Sequence, residues 1–89
     1  MNSDENWDVR VDRSVTKALR KFPRKDAAAI EAAIAAFVGD PYYGDIQKIG
    51  GEEKAWRRRI GSYRISYEVH PDLRIVIVFK VKRRTSTTY

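Results

Sequence analysis

The chain has 89 residues, enough for a single domain over residues 1–89 with one modest core and no second module. It has no cysteine, so disulfides, thiolate zinc sites and a cysteine nucleophile are excluded, and no apolar run is long enough to span a bilayer. Its net charge of +6 is uneven: residues 1–53 carry eight Lys/Arg against ten Asp/Glu, whereas residues 54–89 carry ten Lys/Arg against Glu68 and Asp72 alone.

A basic field confined to one part of a small domain calls for an anionic partner, a nucleic acid or an acidic protein. The start, MNSDENWDV, is acidic and polar and unlike a secretory signal, so a soluble, cytoplasmic protein is expected. Residues 7–11, WDVRV, alternate apolar and polar with Trp7, Val9 and Val11 on one face, which predicts a short strand. Asp12 or Ser14 then offers an oxygen to cap a helix in which Val15, Ala18, Leu19 and Phe22 recur at helical spacing. Pro23 interrupts this helix and suits the first position of a second, DAAAIEAAIAAFV, rich in the best helix former. Its buried stripe is Ala27, Ile30, Ala33, Ile34 and Phe37, and Gly39 with Asp40-Pro41 ends it.

Residues 40–53, DPYYGDIQKIGGEE, hold three of the five glycines and read as a loop with room for a short strand at Ile46–Ile49. The stretch AWRRRIGSYRISYEV, residues 55–69, follows the period-2 pattern of two half-buried strands, with Gly61-Ser62 as the turn between them. His70-Pro71-Asp72 is a further turn. The run LRIVIVFKV, residues 73–81, reads as a central strand covered on both sides for part of its length, before the tail KRRTSTTY. The order β-α-α-β-β-β predicts an α+β domain, with two helices packed on one face of a small, mostly antiparallel four-stranded sheet. The other sheet face is left open.

On that predicted hairpin Arg57 and Arg59 share one face, and Arg64 lies across the turn. Three guanidiniums on a rigid hairpin suit phosphate, because each presents a planar fork of donors. The plain alternative is a solvated outer face. His70 is the only histidine and reads as a turn residue; Glu68 shares the face of Arg64 and is expected to pair with an arginine. With no histidine pair, no acidic cluster and no phosphate-binding glycine fingerprint, no metal and no cofactor are expected. Lys82, Arg83 and Arg84 leave the last strand directly, and Tyr89 ends the sequence. They form either a frayed basic tail or further cations delivered beside the hairpin. In the second case four arginines and a phenol would hold an RNA backbone and stabilise a phosphorane-like transition state. The ordinary phenol pKa of about 10 would fall among such cations.

The chain resembles the RelE/ParE toxin superfamily, and within it the RelE-type mRNA interferases of type II toxin–antitoxin systems. The markers are the element order, the loop DP-Y-G-D-I-Q-K, W-R-R-R-I, G-S-Y-R-I-S-Y-E-V and the terminal K-R-R-x₄-Y. The resemblance implies a ribosome-dependent endoribonuclease that cleaves mRNA in the A site by 2′-hydroxyl attack, leaving a 2′,3′-cyclic or 3′ phosphate and a 5′-hydroxyl. It implies catalytic roles for Arg57, Arg59, Arg64, Arg83 and Tyr89. Arg57 and Arg59 match basic positions, often lysines in relatives, that bind the backbone and are implicated in activating the 2′-hydroxyl; Arg64 contacts the scissile phosphate, Arg83 is implicated in protonating the leaving 5′-oxygen, and Tyr89 stacks on or orients the target nucleotide or serves as base. Lys54, Arg58, Lys82 and Arg84 would bind RNA, and Arg20, Lys21, Arg24 and Lys25 would hold the ribosome. Arginine at the lysine pair cannot act as a base. Arg58 stands where an inward apolar residue is expected, so it should reach around an edge with its stem packed. The expected partners are an acidic cognate antitoxin, the ribosome and mRNA, with no membrane. Two further readings of the same scaffold stay open, a ParE-type DNA gyrase poison and an inactive RelE-fold binding protein.

Overall fold

The computed structural model describes residues 6–51 and 53–84. Strands β1 (Asp8–Val11), β2 (Ile46–Lys48), β3 (Ala55–Ile60), β4 (Tyr63–His70) and β5 (Ile75–Arg83) form one sheet; α1 (Arg13–Lys21) and α2 (Arg24–Ala36) follow β1. The strand order is β1-β5-β4-β3-β2. β1 runs parallel to β5, and the other three pairings are antiparallel. The α+β class and the helix pair match the sequence reading, but the sheet has five strands and is mixed, not four-stranded. Two physical causes account for the difference. β2 falls within the short strand that Ile46–Ile49 had room for; it is only three residues long and joins the sheet by pairing with β3. The helices carry the chain from β1 across one face to β2 at the opposite edge, and the antiparallel meander from β2 comes back to set β5 beside β1 in the same direction.

Asp12 caps α1: its carboxylate accepts from the Ser14 backbone N–H at 2.9 Å. The Ser14 hydroxyl donates to the same carboxylate, and it, followed by the backbone N–H, holds the Asp12 carboxyl below its ordinary pKa. Pro23 occupies the cap position of α2 and so falls one residue before the helix proper. The helices bury Val15, Ile30, Ala33, Ile34 and Phe37 against Tyr63, Ile65, Tyr67 and Val69 of β4 and Val76, Val78 and Val81 of β5. The rings of Phe37 and Tyr67 lie 4.3 Å apart between centroids, and those of Phe22 and Tyr63 4.7 Å. Two hydroxyls in this layer are satisfied: Tyr67 donates to the Pro41 carbonyl and Tyr63 to the Asp26 carboxylate, each at 2.7 Å.

A β-bulge decides what β5 shows on its open face. Tyr67 pairs with Val78 but Ser66 pairs with Lys80, so Phe79 is the extra residue. The inward positions therefore run Val76, Val78, then Val81. Without that shift Lys80 and Lys82 would point into the core. With it they join the open face.

Candidate nucleic-acid interface

Period-2 alternation sorts the hairpin into two faces. Tyr63, Ile65, Tyr67 and Val69 point to the helices, and Arg64, Ser66, Glu68 and His70 point away from them. Cross-strand register then sets Arg59 opposite Arg64, Arg64 opposite Lys82, and Arg57 opposite Ser66. Neighbours across strands on one face stand about 5 Å apart, so a row of cations crosses β3, β4 and β5. A cleft of about 100 Å³ is lined by Arg57, Arg59 and Arg64 together with Asp45 and Gln47. A second, of about 310 Å³, is lined by Arg64, Lys82, Arg83 and Arg84. Arg64 belongs to both, so the two clefts make one band.

The band is cationic with a single local offset. Asp45 pairs with Arg59, its Oδ2 lying 3.1 Å from Nε. Among the described residues, Arg57, Arg64, Lys82 and Arg84 have no carboxylate partner. The Arg84 backbone N–H donates to the Ser62 carbonyl, which ties the end of β5 to the hairpin turn. Gly61, with φ +58, makes that turn.

Several residues singled out by sequence sit elsewhere. Arg83 pairs in register with Tyr63 and so leans to the helix side, its guanidinium 5.7 Å from the Tyr63 ring centre, while still bordering the second cleft. The four arginines therefore do not meet in one pocket; they line adjoining clefts. Arg58 faces the helix side of β3. Its Nη1 donates to the Tyr43 carbonyl at 3.0 Å, and its Nε is buried without a partner. Its place among RNA-binding residues is corrected accordingly: the guanidinium is spent on the 43–44 loop, because position 58 alternates inward. Lys54 precedes β3 and lines neither cleft. Arg20 and Arg24 border a groove between the helices with Leu19, Phe22 and Glu31, on the far side of the sheet, and Lys21 and Lys25 are exposed beside them. Glu68 pairs with His70 at 2.9 Å and not with an arginine, because both point the same way on β4. Tyr89 lies outside the described residues.

No protein-family profile matches the chain. RelE1 of Methanocaldococcus jannaschii is 30% identical over 81 residues, spanning 88% of this chain and 90% of that protein. The chain belongs to the RelE toxin family. Its fold is that of solved RelE structures. The RelE–RelB complex from Pyrococcus horikoshii OT3 superposes with a TM-score of 0.80 at 23% identity, over 92% of this chain and 99% of that one. The isolated E. coli RelE toxin gives 0.76 at 17% identity, over 91% and 87%.

Two residues of this RelE chain's first cleft, Asp45 and Gln47, were not singled out by sequence reasoning. Both come from the 40–53 loop. The signal was present, since Ile46 alternates with two polar neighbours. Only the pairing of Gln47 with Arg57, and of the Asp45 carbonyl with the Arg59 N–H, brings them to the arginines.

Proposed function

We propose that this RelE protein is the toxin of a type II toxin–antitoxin pair and acts as a ribosome-dependent endoribonuclease on mRNA in the A site. The observation that carries the reading is the band of guanidiniums on the open sheet face, centred on Arg64. In this reading the scissile phosphate rests over Arg64, with Arg57 and Arg59 on one side. Lys82 and Arg84 follow the backbone on the other, and Arg83 at the rim faces the leaving oxygen. The 2′-oxygen attacks phosphorus, charge builds on the non-bridging oxygens, and fixed guanidiniums neutralise it without reorganising. The products are a 2′,3′-cyclic phosphate and a 5′-hydroxyl. Tyr89 would stack on the target nucleotide.

Arg20, Lys21, Arg24 and Lys25 lie on the opposite side of the sheet, which suits a body held between mRNA and ribosomal RNA. Site of action and partners follow: the cytoplasm, the ribosome, and an acidic cognate antitoxin that neutralises the basic surface. RelE–RelB complexes of relatives support that last partner. The test is purified protein added to ribosomes programmed with a defined mRNA, with 5′ ends mapped. Cuts inside the A-site codon bearing 5′-hydroxyls are expected. Intact mRNA together with inhibited DNA gyrase supercoiling would turn the assignment to the gyrase poison. Intact mRNA without gyrase inhibition would leave an inactive RelE-fold binder.

A further inference from the structure

The arginine cleft poses a chemical problem. Attack by a 2′-hydroxyl needs an acceptor for its proton, and guanidinium, a cation with no lone pair to offer, is not one. Arg57, Arg59 and Arg64 therefore serve charge and position, not proton removal. The two buried phenols near the sheet are on the wrong side. Tyr63 and Tyr67 face the helices, donate to Asp26 and the Pro41 carbonyl, and have pKa values raised above the ordinary 10. Glu68 and His70 share the open face, but they pair with each other and line neither cleft.

One acceptor does line the first cleft. Asp45 is the carboxylate among its described residues, beside Gln47, Arg57, Arg59 and Arg64. Its position is fixed by the backbone, because the Arg59 N–H donates to the Asp45 carbonyl at 2.9 Å. Its side chain is oriented by Arg59, which takes Oδ2 through Nε. Oδ1 has no partner among the described residues, on a side chain that is 61% exposed. A carboxylate held through one oxygen, with the other unpartnered, on a residue that lines an arginine cleft has the layout of a general base.

Resting on the nuclease reading above, we propose that Asp45 is the general base of the reaction. Oδ1 takes the proton of the 2′-hydroxyl as the O2′–P bond forms. The P–O5′ bond breaks, and the 5′-oxygen takes a proton from water. Asp45 then returns its proton to solvent, so the net change is transesterification with no proton gained or lost. Arg59 keeps Asp45 aimed while Arg57 and Arg64 hold the phosphate. The anion also repels the phosphate slightly, so rate and affinity should respond in opposite directions when its charge is removed.

The experiment is single-turnover cleavage of ribosome-bound mRNA by wild type, Asp45→Asn and Asp45→Glu, with RNA affinity measured in parallel and the rate followed across pH. Asp45→Asn keeps the size and an oxygen for Arg59. It is expected to slow cleavage by roughly 10²-fold or more, the usual contribution of a general base, with affinity unchanged or tighter. An acid-side loss of rate is expected in wild type and is expected to be absent in Asp45→Asn. The charged groups that line the cleft with Asp45 are Arg57 and Arg59 from β3 and Arg64 from β4. Asp45→Glu should restore part of the rate. If Asp45→Asn cuts within about threefold of wild type, or slows with the acid limb intact and affinity lost, Asp45 only positions Arg59 and the proposal is overturned. If wild type itself cuts nothing, the nuclease reading falls first and takes this one with it.

Discussion

Gly44 and Arg58 are coupled at the scale of single residues. Gly44 has φ +97, and a Cβ there would overlap the Arg58 guanidinium. Gly44→Ala is expected to destabilise the protein by about 1–3 kcal/mol in urea melts, from strained backbone and from that overlap. In an Arg58→Ala background the same change should cost less, because only the backbone term remains; equal costs in both backgrounds would contradict the contact. Tyr67 carries a second prediction. Burial raises its pKa to about 12, so the folded state keeps the proton while the unfolded phenol ionises near 10. The stability this represents is fully present below pH 10 and is lost as pH rises to about 12, on the order of 3 kcal/mol at about 1.4 kcal/mol per unit. Tyr67→Phe should flatten that alkaline decline while costing about 1 kcal/mol at neutral pH through the lost bond to Pro41. Tyr63, raised mainly by its hydrogen bond to Asp26, leaves a residual slope of the same sign. Sequence showed which residues alternate on the hairpin, so the shared face of Arg57, Arg59 and Arg64 was legible. The anchoring of Arg58 under Gly44 was not, because it depends on how the 40–45 loop folds over β3.

The elements were legible where they are long and strongly patterned. α2 announced itself through its alanines and β4 through strict alternation, while the cap of α1 was narrowed to Asp12 or Ser14. What sequence hid was relational: β2 joins the sheet by pairing with β3, and β5 lies parallel to β1 because the meander that starts at the far edge runs back to it. The bulge at Phe79 is the clearest case. Read as unbroken alternation, VIVFKVK sends Lys80 and Lys82 inward; one extra residue reverses them. Deleting Phe79 should convert this stretch into a regular strand with Val81 still inward and Lys82 still opposite Arg64. The variant is expected to fold with an unchanged far-UV circular dichroism spectrum and a stability within about 2 kcal/mol of wild type. Loss of the cooperative melt would show that the bulge itself is required for packing.

Across the whole molecule the charge is divided by the sheet. The open face carries the guanidinium band, and the helix side carries the second cluster at the α1–α2 junction. Composition alone revealed that the C-terminal part is basic, and the family resemblance supplied an RNA target. Neither could divide the arginines between two adjoining clefts or turn Arg58 away from them. The central claim is that Arg64, shared by both clefts, stabilises charge on a phosphate during cleavage. Single-turnover cleavage of A-site mRNA by Arg64→Ala, beside its ribosome affinity and its melting curve, tests this most directly. The account predicts a rate reduced by roughly 10²–10³-fold, the scale of losing one preorganised charge stabiliser, with ribosome binding and melting close to wild type. A variant that binds, melts and cuts like wild type would contradict it.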